Sequence, residues 1–303
     1  MADAGLAAGT PDRRTLAVRG TAVEMATAGS GAPLLFLHGA GAAGRWLTFH
    51  DHLASRFQVH LPCHPGHGGS PAAEWIEHIS DLAFHYLDLL DELQLDHVHL
   101  VGASFGGWIA AEMATMASHR LHSLTLVDPV GIKVEGWIYP FIFGMDIPEV
   151  VATVFHAPAA AMALMPRDQS VDTLLELSRE RAAIARVSWN PYLYNPLLRR
   201  RLGRIRTRTL LCWGEHDRLA PLACAEAWRA EIPGAALRVF GQSGHVPHLE
   251  EPAAVAAAIL DFIGETEARA PIARPLRKSR RATEPRAPIA RHPRREPGTR
   301  SDQ

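Results

Sequence analysis

The chain has 303 residues, 31 of them Lys or Arg against 32 Asp or Glu, with 17 His and 3 Cys. That length provides a sizeable core in one large domain or two modest ones, and a formal net charge of -1 argues against whole-molecule attraction to nucleic acid or a membrane surface. Cys63, Cys212 and Cys224 lack CxxC spacing, which argues against a disulfide framework and for a reducing compartment.

The first dozen residues contain no apolar core of signal-peptide length, and no window approaches a membrane span. These features predict a soluble cytoplasmic protein. Residues 1–14 read as a disordered leader. Strands are expected at 15–18 and 21–27, about a turn at Gly20, then at 33–37, where Pro33-Leu34-Leu35-Phe36-Leu37 is apolar throughout, as in a strand buried on both faces. A short helix follows over 46–54, a strand over 57–61, and a loop at Cys63-His64-Pro65-Gly66-His67-Gly68-Gly69-Ser70.

Leu82, Tyr86, Leu89, Leu90 and Leu93 recur at helical spacing over 79–93. A strand at 97–101, a helix to about residue 119 and a strand at 121–127 continue the alternation, which implies a mostly parallel, doubly wound α/β sheet covered on both faces. The alternation stops over 131–202, a segment rich in aromatic residues and proline, which reads as a helical insertion forming a cap or lid. It resumes with a strand at 207–213, a helix at 221–230, a strand at 236–240 and a helix at 252–263, so the core is expected over 15–130 and 203–264. Beyond Gly264 lies an Arg- and Pro-rich stretch in which Arg-Ala-Pro-Ile-Ala-Arg occurs twice, at 269–274 and 286–291. Eleven Lys or Arg against five acids make residues 265–303 a basic tail, expected to be disordered and solvated.

Chemistry is concentrated at Gly102-Ala103-Ser104-Phe105-Gly106, where a strand meets a helix. A serine on a sharp turn needs small neighbours because backbone crowds around it; Gly102 and Gly106 meet that need. The same pattern also fits an ordinary strand-to-helix turn. A serine hydroxyl is a weak nucleophile and requires a base, an acid that orients the base, and donors for an oxyanion. Ser104, Asp217 and His245 each follow a predicted strand, at the sheet edge where sites of parallel sheets form. Asp128 also ends a strand and is the alternative acid. No His, Cys or Asp cluster has metal-ligand spacing, so neither metal nor cofactor is expected.

Over roughly 15–264 the sequence resembles the α/β-hydrolase fold superfamily, in the subgroup of capped serine esterases. The resemblance rests on His38-Gly39-Ala40-Gly41, the 65–70 loop, Gly102 to Gly107, Trp213-Gly214-Glu215-His216-Asp217 and Gly244-His245-Val246-Pro247-His248-Leu249-Glu250. It implies Ser104 as nucleophile, His245 as general base then acid, and Asp217 as orienting carboxylate. The backbone N–H groups of Phe105 and Ala40 would form the oxyanion hole, with His38 and Gly39 supporting its loop. His216 and His248 are expected at the surface or behind the site. Cys63 is a departure, since relatives often carry aspartate there, and it bears on the packing of the 65–70 loop.

The expected activity is hydrolysis of a small or medium apolar carboxylic ester or lactone through an acyl-enzyme, with the insertion's aromatic residues lining an apolar pocket. The alternatives are carbon–carbon bond hydrolysis of meta-cleavage-type products and a small-molecule receptor with slow hydrolysis. Ala103 and Val246 depart from the Asn and Trp that the carbon–carbon hydrolases usually carry. A small apolar molecule is the expected partner, with no nucleic acid and no membrane.

Overall fold

The computed structural model describes residues 10–41, 43–158, 161 and 170–269. Its single sheet contains β1 (Asp12–Val18), β2 (Thr21–Ala28), β3 (Pro33–Leu37), β4 (Gln58–Pro62), β5 (Val98–Ala103), β6 (Leu121–Val127), β7 (Thr209–Gly214) and β8 (Ala236–Phe240), in the order β1-β2-β4-β3-β5-β6-β7-β8. Strand β2 is antiparallel to β1 and β4, and every other pairing is parallel. The helices among the described residues are α1 (Thr48–Ala54), α2 (Ile79–Glu92), α3 (Phe105–Ala117), α4 (Ile147–Val154), α5 (Val171–Ser188), α6 (Leu198–Arg201), α7 (Leu222–Glu231), α8 (Pro247–Glu250) and α9 (Pro252–Arg269).

Alternation along each central strand sends neighbouring side chains to opposite faces. Leu35 and Leu37 join Ile79, Leu82 and Tyr86 of α2, Ile109 and Met113 of α3 and Trp228 of α7 in one layer. Leu34 and Phe36 join Phe49 and Leu53 of α1 and Val255, Ile259 and Ile263 of α9 in the other. Each such fully buried side chain contributes about 1.5–3 kcal/mol by leaving water. Strand β3, read as buried on both faces, is buried at every residue but Pro33, and β5 and β7 are buried throughout.

Strand direction and order decide where a site can form. Strand β3 pairs with β4 on one side and β5 on the other, so the chain leaves the carboxyl ends of β3 and β5 in opposite directions and opens a crevice between them. The loops after β3 and β5 meet there, with Gly39 against the Cβ of Ser104.

Between β6 and β7 the described residues contain helices and loops but no strand. Phe141, Phe143, Trp189 and Tyr192 of this insertion pack edge-on or stacked on one another, with ring centroids 5.3–6.3 Å apart. These rings form an aromatic cluster within the insertion, with Phe141 and Trp189 still exposed on one side. Two anchors fasten the insertion to the segments flanking the crevice. Glu250 of α8 accepts from Ala157 N at 2.8 Å through one oxygen, and from His156 N at 3.2 Å and Gly244 N at 2.7 Å through the other. Arg218 donates to the carbonyls of Ala152 at 2.7 Å and Phe155 at 3.1 Å.

Among the bounds that differ from the sequence reading, three concern the two ends of the fold and one helix start. Strand β1 starts within the expected leader, because Asp12 to Arg14 already pair with Thr27 to Met25 on β2; an exposed edge strand needs no apolar alternation and so escapes a hydrophobic reading. Helix α9 runs past Gly264 to Arg269, its polar end tied down by Arg208, which donates to Thr266 Oγ1 at 2.7 Å and pairs with Glu265 at 3.5 Å. Pro221 is the N-cap of α7, not its first helical residue. The rest of the expected leader (1–9) and of the basic tail (270–303) lies outside the described residues. Among those described, no helix is long and apolar enough to cross a membrane.

Two predictions concern stability. Burial pushes His38, His50 and His248 down to about 3, each deprived of the water that would solvate its charge. Unfolded histidines titrate near ~6.5, so between these values the unfolded chain binds more protons, and stability present at neutral pH is lost as pH falls. Each ring costs about 2 kcal/mol at pH 5, and urea midpoints measured at pH 8 and pH 5 should fall steeply towards acid. Glu250→Ala leaves three backbone N–H groups without their acceptor and should cost about 1–3 kcal/mol, read as a lower denaturant midpoint, with Glu250→Gln intermediate.

Candidate active site

Ser104 sits between β5 and α3 with φ 50° and ψ -114°, a strained conformation for a residue with a side chain. Crowding enforces it. A Cβ at Gly106 would lie 2.2 Å from the carbonyl oxygen of Leu37, and one at Gly102 would lie 2.4 Å from that of Gly106. The Ser104 N–H donates to Val127 O at 2.8 Å, and its carbonyl accepts from Trp108 N at 3.0 Å, so the turn is pinned to β6 and to the helix it starts. Phe105 opens α3, and a first-turn N–H has no partner in the helix ladder.

The three residues expected from the sequence meet at the carboxyl edge. Ser104 Oγ lies 2.7 Å from His245 Nε2, and His245 Nδ1 lies 2.7 Å from Asp217 Oδ2. Facing a carboxylate, Nδ1 carries the ring proton and donates it to Asp217, which leaves Nε2 to accept from the serine hydroxyl. Asp217 Oδ1 accepts from Leu219 N and Ala220 N, both at 2.8 Å, so the loop after β7 fixes the carboxylate in a backbone cradle. The oxygen and nitrogen atoms of Asp217, His245 and Asp128 lie close enough together to suggest a metal cage. The ring nitrogen of His245 that faces Asp217 is Nδ1, however, and it carries the proton, so it has no lone pair for a metal there.

Asp128, the alternative acid, is fully buried at the end of β6 and accepts from Gly214 N at 3.0 Å. The ring of His245 is bonded to Asp217 and not to Asp128, in line with the preference read from the sequence.

Around the oxyanion loop the structure adds residues that the motifs did not reveal. His38 Nε2 accepts from His64 N at 3.0 Å, so His38 Nδ1 carries the proton and donates to Gly39 O at 2.8 Å. His64 in turn donates from Nε2 to His38 O at 2.7 Å and accepts at Nδ1 from the Tyr86 hydroxyl. The ring of His38 thus bridges Gly39 to the 64–70 loop. Ala40 is exposed beside it.

Cys63, the departure, is buried with its thiol pushed up to about 12 by burial and then by the adjacent Glu24. It therefore remains a thiol and donates to Glu24 Oε2 at 3.8 Å, while the same oxygen accepts from Gly69 N at 2.7 Å. Glu24, one strand away, supplies the loop's carboxylate. Its position 39 residues before Cys63 gave no local signal. Of the two histidines expected at the surface or behind the site, His248 is buried against Phe36 and Phe49, whereas exposed His216 stacks on His156 at 4.0 Å. A cleft of about 740 Å³ between the 66–72 loop and α5 is lined by Asp172, Glu176, Arg179 and Arg186, and by none of Ser104, His245 and Asp217.

Comparison with known proteins extends this geometry. The chain is 31% identical over 248 residues to the dihydrolipoyllysine-residue acetyltransferase component of an acetoin cleaving system from Cupriavidus necator, covering 77% of this chain but only 64% of that protein. It is 28% identical over 291 residues to 2-hydroxymuconate semialdehyde hydrolase from a Pseudomonas species, covering 85% of this chain and 95% of the relative. Its backbone matches a thermophilic esterase from Thermogutta terrifontis with a TM-score of 0.67 at 20% identity, over 84% of this chain and 99% of that one. The profile of the alpha/beta hydrolase family matches residues 34–258, three-quarters of the chain and every element that bears the site. This chain is a member of the alpha/beta hydrolase family.

Proposed function

We propose that the protein is a serine hydrolase that cleaves a small or medium apolar carboxylic ester or lactone through an acyl-enzyme. The observation that carries this reading is the unbroken Ser104–His245–Asp217 hydrogen-bond chain, with 2.7 Å at each link. In this mechanism Ser104 Oγ attacks the carbonyl carbon as its proton passes to His245 Nε2. The imidazolium that forms is stabilised by Asp217 through Nδ1–H. The resulting oxyanion accepts from the N–H groups of Phe105 and Ala40, aided by the N-terminal end of α3. His245 then returns the proton to the departing alkoxide, and a water activated by the same ring frees Ser104. The insertion between β6 and β7 acts as the cap that selects the acyl group. No cofactor enters the scheme.

A second reading, hydrolysis of a carbon–carbon bond in a dienoic ketone, is supported by likeness to the 2-hydroxymuconate semialdehyde hydrolase along nearly its full length. Both reactions draw on the same three residues, so substrate separates them. Steady release of nitrophenol from short-chain esters, with a dienoic ketone turned over far more slowly, is the expected outcome; the reverse ratio selects the second reading. Ser104→Ala should abolish labelling by a fluorophosphonate probe and lower kcat by about 10⁴-fold or more. Undiminished labelling of that variant would place the nucleophile elsewhere.

A further inference from the structure

Three features make Asp128 unlike an ordinary buried acid. It ends β6 with φ 43°, in the left-handed region that a side chain occupies at a cost. It is wholly buried, with a single hydrogen bond to its carboxyl group, from Gly214 N to Oδ1, while Oδ2 has no partner beyond its own neighbourhood of acids. That neighbourhood is the site itself: ligand atoms of Asp128, Asp217 and His245 all lie within 4.8 Å of one another.

Two buried carboxyl groups this close do not both carry a charge. The donors decide which one holds the proton. Asp217 receives three, from Leu219 N, Ala220 N and His245 Nδ1, whereas Asp128 receives only one. Burial, and then the neighbouring Asp217, hold the Asp128 carboxyl well above the usual carboxylate range. The groups facing it are Asp217 and Cys212 from β7 and its loop, and Glu250 and His245 from the segment after β8. The acids among them all favour a neutral Asp128.

We propose that Asp128 is a positioning residue, a neutral carboxylic acid whose Oδ2–H donates to Asp217 and which can replace Asp217 as the partner of His245 when that carboxylate is removed. Asp217 is thereby held from both sides, by backbone on one and by a carboxylic acid on the other. Its negative charge stays directed at His245. Asp128 touches no substrate and acts only through Asp217.

The inference rests on the Ser104–His245–Asp217 reading of the site, and the first measurement is independent of that reading. In infrared difference spectra at pH 8, the intact protein should show a protonated carboxyl stretch that Asp128→Asn lacks; absence of that band in the intact protein overturns the proposal. The second measurement is kinetic, normalised to active sites counted with a fluorophosphonate probe so that misfolded protein does not enter. An asparagine side chain reproduces a neutral acid, accepting from Gly214 and donating to Asp217. Asp128→Asn should therefore keep kcat within about threefold and leave the acid limb of the pH profile in place, while Asp128→Ala lowers kcat tenfold or more at similar KM. Asp217→Asn should retain activity that the Asp128→Asn/Asp217→Asn double variant loses by a further tenfold. Equal damage from Asn and Ala at 128, or a double variant no worse than Asp217→Asn, sinks the assignment. If Ser104→Ala remains labelled while the infrared band is present, the functional reading fails and the protonated Asp128 stands.

Discussion

The 2.7 Å bond between His245 Nδ1 and Asp217 Oδ2 is the interaction on which the arrangement of the site depends. It fixes the tautomer of the ring, and the tautomer leaves Nε2 able to accept from Ser104. The two partners come from loops that follow different strands, so the bond exists only because β7 and β8 run parallel and in register. Asp217 is held by its own loop's amides, His245 by a backbone bond from its N–H to Val154 O at 2.7 Å in the insertion. The ring of His245 is therefore seated jointly by the sheet and by the insertion. Packing of that segment and geometry of the site are one mechanical problem.

Ser104 is the counterpart on the other side of the crevice. Its unfavourable backbone is held by its bonds to Val127 O and Trp108 N, and the carbonyls of Leu37, His38 and Gly106 leave no space for a Cβ at either flanking glycine. The strain is local, while the restraint comes from β3, β5 and β6 together. A residue so confined loses little freedom when it reacts, which is how a rigid core serves a chemical step.

Much of this was legible in the sequence because the signals are local. The central strands follow from apolar runs ended by turns; Ser104 sits directly after one, and Asp217 and His245 lie in the loops that follow two others. What stayed hidden is what depends on contacts distant along the chain. Glu250 reads only as the end of the motif around His245, yet it gathers amides from Gly244, His156 and Ala157. Tyr86 reads as a core residue of α2, yet its hydroxyl orients His64. The aromatic residues of the insertion gave a composition without a direction, and only folding shows that they face one another. Asp128 gave the opposite difficulty: sequence put it in competition with Asp217, while in three dimensions the two are neighbours.

The antiparallel hairpin at the edge of the sheet looks peripheral to all this. Because β2 runs against β4, its beginning and not its end lies at the carboxyl edge, which brings Glu24 beside Cys63 and the 64–70 loop. Arg13 on β1 pairs with Glu24 at 3.2 Å and donates to Gly44 O at 2.9 Å, so one side chain links the hairpin to the loop after β3. The reversed strand thus works as a strut: it braces from outside the loop after β3 and the 64–70 loop. The outermost ribbon of the sheet is part of the scaffold that sets how closely Gly39 and Ala40 approach the serine.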